Sequence, residues 1–196
     1  GNHYGAFEAA VYAEDEISLL KNLTINAGLR YAAYFCTGKA YNRLEPRLAL
    51  RYDFSRNASF KLSYTDMNQF NHLVASTYID LPANMWMPST AKIEPMHSRQ
   101  FAGGFYIELP HNWYANIEGW YKTMDNIHEY IGSAAIFAPV DKWESSFASG
   151  KGRSYGMEFE TGWSDARTDV SLAYTLGWSQ RYFPDIYEWW YPDLYD

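Results

Sequence analysis

The sequence predicts an all-β chain, an antiparallel up-and-down transmembrane β-barrel of about eight strands. Three observations carry this expectation. Apolar and polar residues alternate with period two in eight separate runs. The connections between runs are alternately short and long. One face of the best runs is free of charge and flanked by aromatic residues at both strand ends.

The first run, residues 6–16, sets Phe7, Ala9, Val11 and Ala13 against Glu8, Ala10, Tyr12 and Glu14. The second, 23–35, alternates without a lapse: Leu23, Ile25, Ala27, Leu29, Tyr31, Ala33 and Phe35 against Thr24, Asn26, Gly28, Arg30, Ala32 and Tyr34. Leu44, Leu48, Leu50, Tyr52 and Phe54 form the third, and Phe60, Leu62 and Tyr64 the fourth, across the turn Ser55–Ala58. The fifth, 99–109, carries Phe101, Gly103, Phe105, Ile107 and Leu109; the sixth, 113–123, carries Ala115, Ile117, Gly119 and Tyr121. Tyr155, Met157, Phe159, Thr161 and Trp163 mark the seventh, and Val170, Leu172, Tyr174, Leu176 and Trp178 the eighth. No segment sustains the 3.6-residue period of a helix. Short polar turns are expected at 18–22, 55–58, 110–112 and 164–167, and long links at 36–43, about 73–96, 125–151 and after 181. In an up-and-down sheet this puts the long loops at one end, as in outer-membrane barrels.

The chain has 196 residues, the size of one domain, with 20% charged residues and a net charge of −7. That acidic balance gives no basic face for nucleic acid. A mean hydropathy of −0.42 would suit a soluble protein, but it misleads for barrels, whose strands are half polar. No apolar run is long enough for a transmembrane helix. Residues 1–5 lack a basic stretch followed by an apolar one, so no signal peptide is read there. The single cysteine, Cys36, excludes an intrachain disulfide and reads as a small half-buried hydrophobe.

Charge decides which face meets lipid. An Arg or Lys at the bilayer midplane of a barrel costs ~2–4 kcal/mol, so a lipid-facing surface excludes them. The opposite face carries Glu14, Arg30, Glu45, Arg47, Arg51, Asp53, Lys61, Glu108, Glu118, Lys122, Glu158 and Glu160, which suit a wet lumen. Tyr52, Phe54, Phe60, Trp113 and Trp163 gather beside the short turns; Tyr34, Phe35, Tyr64, Tyr155 and Trp178 lie near the long loops. A soluble sandwich or lipocalin-like barrel with the apolar face inward has the same alternation and stays open on periodicity alone.

Several stretches then resemble one family. "VYAEDEISLLKNLTINAGLRY" (11–31), "EPRLALRY" (45–52), "SFKLSYTDMNQFNHL" (59–73), "LPANMWMPSTAKIEP" (81–95), "GKGRSYGMEFE" (150–160) and "YTLGWSQRYFPDI" (174–186) are similar, in order and spacing, to barrel segments of TonB-dependent outer-membrane receptors of the Bacteroidota type. The resemblance implies a multi-pass barrel in the cell outer membrane, part of a 22-stranded barrel with a plugged lumen. It implies uptake of a nutrient, glycan or iron chelate, with energy passed on by TonB. Residues 1–196 then make one barrel segment, with the plug domain and remaining strands not among them. The implied partners are outer-membrane lipid, the TonB complex through the plug, a surface lipoprotein and the cargo. A structural or adhesive outer-membrane barrel and a soluble glycan-binding sandwich are the rival readings.

No enzyme, cofactor or nucleic-acid role is expected. Glu158 and Glu160 share a face two residues apart, but read as partners of Lys or Arg rather than as a glycosidic pair. No nucleophile elbow, zinc helix or phosphate loop occurs, and the glycines of "GKGRSYG" are read as easing the chain back into its strand. His72 and His97 flank the 73–96 link and are the weak candidates for a metal, which needs three or four ligands. Trp86, Trp143, Trp189 and Trp190 fall in long loops beside Tyr187 and Tyr191 and are the candidate ligand contacts, because flat aromatic faces stack on sugars and anchor interfaces. Trp86, between Pro82 and Pro88, could instead fold its loop onto itself. The acidity of 185–196 disfavours an anionic ferric chelate there, and its aromatics favour a flat neutral or cationic ligand such as an oligosaccharide.

Overall fold

The computed structural model describes residues 5–74, 85–130, 144–186 and 190–192. Eight long strands arise where the alternating runs lie: β1 (Ala6–Leu20), β2 (Leu23–Cys36), β3 (Lys39–Ser55), β4 (Ala58–Gln69), β7 (Met96–Leu109), β8 (Trp113–Tyr130), β9 (Phe147–Ser164) and β10 (Asp169–Tyr182). Two short strands, β5 (Asn71–Val74) and β6 (Met85–Pro88), pair with each other as a separate hairpin. A two-residue β11 (Tyr191–Pro192) begins beyond β10. The main sheet runs β1-β2-β3-β4-β7-β8-β9-β10-β11, every pair antiparallel. Among the described residues no helix is long and apolar enough to cross a membrane; strands do the crossing.

Register fixes the two faces. Ile25, Leu50, Leu62, Gly103, Gly119, Met157 and Leu176 are successive partners across seven strands, so the apolar positions share one face. That face has no protein cover: Phe101 is 58% exposed, Tyr174 63% and Leu172 66%. A soluble sandwich would bury these side chains against a second layer. Along β2, β3 and β10 the outward positions carry no charge; Asp15, on the edge strand β1, is an exception lower down the wall.

The buried residues lie elsewhere, at the long-loop end. Ala32, Tyr34, Tyr41 and Phe70 form one small cluster, and Met87 and Ile93, with Phe147 against them, another. Strands of 14–18 residues in β2, β3, β8 and β9 exceed the 9–11 that cross a bilayer at a tilt, so their ends project beyond it.

Three connections differ from expectation. The 36–43 link is a tight turn at Thr37–Gly38, because Gly38 adopts φ +87°, a backbone state open to glycine, and lets both strands extend. The 73–96 link contains the β5–β6 hairpin. The 125–151 link is shortened by β8 and β9, which pair as far as Tyr130 and Phe147 around a bulge at Asn126, φ +58°. The glycines of 150–156 also act differently from the sequence reading. They lie inside β9, where a Cβ would strike Phe183 at Gly150, Met124 at Gly152 and Trp120 at Gly156. They make room for large neighbours.

Candidate functional site

The inner wall and the loops above it form the candidate site. Sheet alternation puts Arg47 and Arg51 of β3, Lys61 of β4 and Glu118 of β8 on the face opposite the apolar one, around a concavity of about 550 Å³. Carboxylates meet amide and hydroxyl donors across strands there, and one ion pair, Arg51–Asp53, lies within β3. Asn26 donates to Glu14 at 2.8 Å, Arg51 to Asp53 at 2.9 Å and Tyr114 to Glu160 at 2.9 Å. Tyr106 donates to Glu118, and Lys61 sits 4.2 Å from the centre of the Tyr106 ring. Glu158 accepts from Thr175 at 3.1 Å. Glu118 and Glu158 are direct cross-strand partners, an arrangement that repels and makes their hydroxyl donors useful.

Glu45 departs from the wetted wall the sequence suggests: it is only 1% exposed. Its carboxylate accepts from Arg30 at 2.7 Å and from the Asn68 backbone at 2.8 Å, tying β2, β3 and β4 together. Above it the segment after β4 folds over the inner side of β2 and β3. Tyr34 donates its hydroxyl to the Ser89 carbonyl (3.0 Å), and Tyr41 donates to that of Thr90 (2.7 Å). Phe70 stacks on Tyr34 at 4.8 Å. Thr90 donates to Glu144, and Lys39 reaches Glu94 at 3.4 Å. The hairpin's exit is thus pinned by the hydroxyls of Tyr34, which sequence patterning assigned to a strand end, and of Tyr41, which it left inside the 36–43 link.

The two histidines take different partners. His72, buried under the hairpin, shares a hydrogen bond with Ser89 Oγ at 2.9 Å and meets the His128 ring edge-on at 4.7 Å. Burial, then the proximity of His128, lowers the His72 imidazole to about 4. His128 is lowered as well, chiefly by burial, while its bond to the Glu94 carbonyl opposes the shift. His97 pairs instead with Asp66 at 2.8 Å. Among the described residues no group of three His, Cys, Asp or Glu could hold a metal.

Of the aromatic candidates, Trp86 stands out at 62% exposure, with its cross-strand partner Leu73 at 45%. Its indole is therefore largely open to solvent. On the other side of the same hairpin, the partners His72 and Met87 are buried. Trp190 packs on Tyr182 (5.7 Å) and over the Arg153 guanidinium (4.4 Å), on the outward face of the sheet. Tyr191 pairs through its backbone with Arg181. Trp143, Tyr187 and Trp189 lie outside the described residues. Cys36 is half-buried, its thiol donating to the Lys39 carbonyl at 3.3 Å.

An open antiparallel sheet with an uncovered apolar face and a charged concave one points to the wall of a membrane barrel. The family model described as TonB dependent receptor-like, beta-barrel matches residues 1–194. The chain belongs to this family. As a segment of such a receptor its sheet lies in the outer membrane. Among curated proteins no match is found. Among solved structures, the FrpB iron transporter of Neisseria meningitidis superposes with a TM-score of 0.67 at 13% identity, over 91% of this chain and 26% of that one. The alcaligin outer-membrane receptor FauA of Bordetella pertussis gives 0.59 at 17% identity, over 91% and 31%. The ferripyoverdine receptor of Pseudomonas aeruginosa gives 0.60 at 14% identity, over 91% and 23%. The TonB-dependent receptor segment described here thus spans roughly a quarter to a third of these chains, and at such identities they speak for its fold.

Proposed function

We propose that this chain is a barrel segment of a receptor that binds a scarce nutrient at the cell surface and imports it with energy passed on by TonB. The plug and remaining strands belong to other parts of that protein. The match of one barrel family along residues 1–194 carries this reading. The order and spacing of "LTINAGLRY", "LPANMWMPST" and "GKGRSYG" support a receptor of the Bacteroidota type. TonB, through the plug, and a surface lipoprotein are the protein partners in this reading.

For cargo, the named relatives favour an iron chelate: they are an iron transporter, an alcaligin receptor and a receptor bound to ferripyoverdine. One observation favours a second class. Trp86 and Leu73 present an exposed apolar pair on a hairpin braced from below, a surface suited to stacking on a sugar ring. Trp143, Tyr187, Trp189 and Tyr191 are candidate contacts of the same kind on sequence grounds. Deletion of the gene in its host, followed by growth on limiting ferric chelates and on candidate glycans, tests both. Loss of growth on a chelate supports the first class. A defect on a glycan, reproduced by Trp86→Ala alone, supports the second. Normal uptake of every nutrient tried, with the outer membrane weakened, would favour a structural barrel.

A further inference from the structure

The underside of the β5–β6 hairpin gathers donors that import leaves unexplained. His72 and Met87 are direct register partners across this hairpin, and both are buried on the side turned away from Trp86. Directly opposed residues of an antiparallel pair have Cβ atoms about 4.5–5.5 Å apart, so the Met87 thioether lies within reach of the His72 ring. Ile93 and Phe147 pack beside Met87. From β8, the His128 ring meets that of His72 edge-on, with centroids 4.7 Å apart. Residues far apart in sequence thus deliver two imidazoles and a sulfur to one spot.

The hydrogen bonds around the rings prepare them as ligands. His128 Nε2 meets the Glu94 carbonyl at 2.8 Å. A carbonyl only accepts, so Nε2 carries the proton and the lone pair of the neutral ring is left on Nδ1. His72 Nε2 is held by Ser89 Oγ at 2.9 Å, and donation to that hydroxyl leaves its Nδ1 in the same state. Metal-bound histidines are held in this way, one nitrogen anchored by a protein partner and the other on the metal. Burial lowers both imidazoles, so at neutral pH neither carries a charge. Every donor of the cluster is then uncharged.

We propose that His72, Met87 and His128 form a site for a soft monovalent cation, Cu(I) or its analogue Ag(I), which clasps the hairpin to β8. Thioether sulfur selects Cu(I), and imidazole suits it as well. Zinc fits poorly. It is taken by Cys, His and carboxylates in sets of three or four, and among the described residues no three His, Cys, Asp or Glu come together to hold a metal. A single positive charge among uncharged donors also costs less to bury than two. His97, paired with Asp66, stays outside the cluster.

The test uses the full-length receptor in mild detergent under anaerobic conditions, titrated with Cu(I) against the chromogenic chelator bicinchoninate and separately with Zn(II) against a zinc chelator. Met87→Leu removes the sulfur and nearly keeps the buried volume, and His128→Gln removes one imidazole. Met157→Leu, on the lipid-facing wall, is the control. Expected is a tightly held Cu(I) whose affinity falls by about tenfold or more in Met87→Leu and in His128→Gln, and is unchanged in Met157→Leu. X-ray absorption at the copper edge should show a sulfur neighbour in the native receptor and none in Met87→Leu. Bound Cu(I) should also slow proteolysis between residues 70 and 95 in the native receptor alone. Zn(II) held as tightly as Cu(I), or Cu(I) affinity unchanged in assembled Met87→Leu, would overturn the site. Should a variant fail to assemble, the native spectrum decides: copper without a sulfur neighbour, or no copper held, sinks the proposal. Cargo uptake is a separate measurement, so failure here leaves the import reading standing.

Discussion

Glu45 sits nearly sealed where three strands meet, and its carboxylate serves both the Arg30 guanidinium and the Asn68 backbone. Glu45→Ala strands both donors. Because Arg30 is about a third exposed and also reaches Glu8 at 3.4 Å, the loss is moderated to about 1–3 kcal/mol. The assembled receptor should then convert to its unfolded gel form at a lower temperature, while Glu45→Gln recovers part of the difference. His72 makes a second residue-scale statement. Its imidazole, lowered to about 4 by burial and His128, returns to the ordinary 6.5 once the hairpin opens. The open segment therefore takes up a proton below pH ~6.5, while the closed one stays neutral down to about 4. Closure is fully stable above 6.5 and weakens across that interval, by on the order of 3 kcal/mol. Limited proteolysis between residues 70 and 95 should accelerate from pH 7 to pH 4, and His72→Gln should flatten the profile. A rate independent of pH in the native receptor would mean that the imidazole does not report on closure.

Individual strands carry the membrane argument. Leu50 faces outward and Ala49 inward, one residue apart in β3. Leu50→Arg places a charge in hydrocarbon at ~2–4 kcal/mol, whereas Ala49→Arg adds one to a wall already holding Arg47 and Arg51. Heat-modifiable receptor in the outer-membrane fraction should be depleted for Leu50→Arg, as for Leu29→Arg, and near normal for Ala49→Arg; the reverse ranking contradicts the orientation. The strands were legible because period two is a local property, visible without knowing any partner. Turn length was less so: one glycine at position 38 replaces a loop by a two-residue reversal, and composition alone does not reveal its φ. The candidate site was least legible. Tyr34 read as a strand-end aromatic and Tyr41 fell unremarked in the expected 36–43 link, yet their hydroxyls bind the carbonyls of Ser89 and Thr90, far along the chain. Glu45 read as a wetted wall residue until Asn68 and Arg30 closed around it. Trp86 and Trp190 were both singled out in advance among the described loop residues; Trp86 is the more exposed, while Trp190 packs on Tyr182 and Arg153.

Across the whole molecule, β1 is bonded on one side only, and the other edge ends in the two-residue β11. Unpaired backbone donors and acceptors do not face lipid. The isolated 196-residue segment should therefore aggregate on refolding into detergent, and insertion should require the neighbouring strands. A protease-resistant, heat-modifiable monomer from this segment alone would show that it closes on itself.

The tight reversal at Thr37–Gly38 offers a practical handle. It stands among loops at the outward end, while the Arg56–Asn57 reversal one strand later stands at the opposite end. Both are exposed, and both are too small to carry a fold of their own. A short epitope spliced between Thr37 and Gly38 should be stained by antibody on living cells. The same epitope between Arg56 and Asn57 should be stained only after the envelope is permeabilised. Two tags, nineteen positions apart along one chain, would thus report sidedness by microscopy alone.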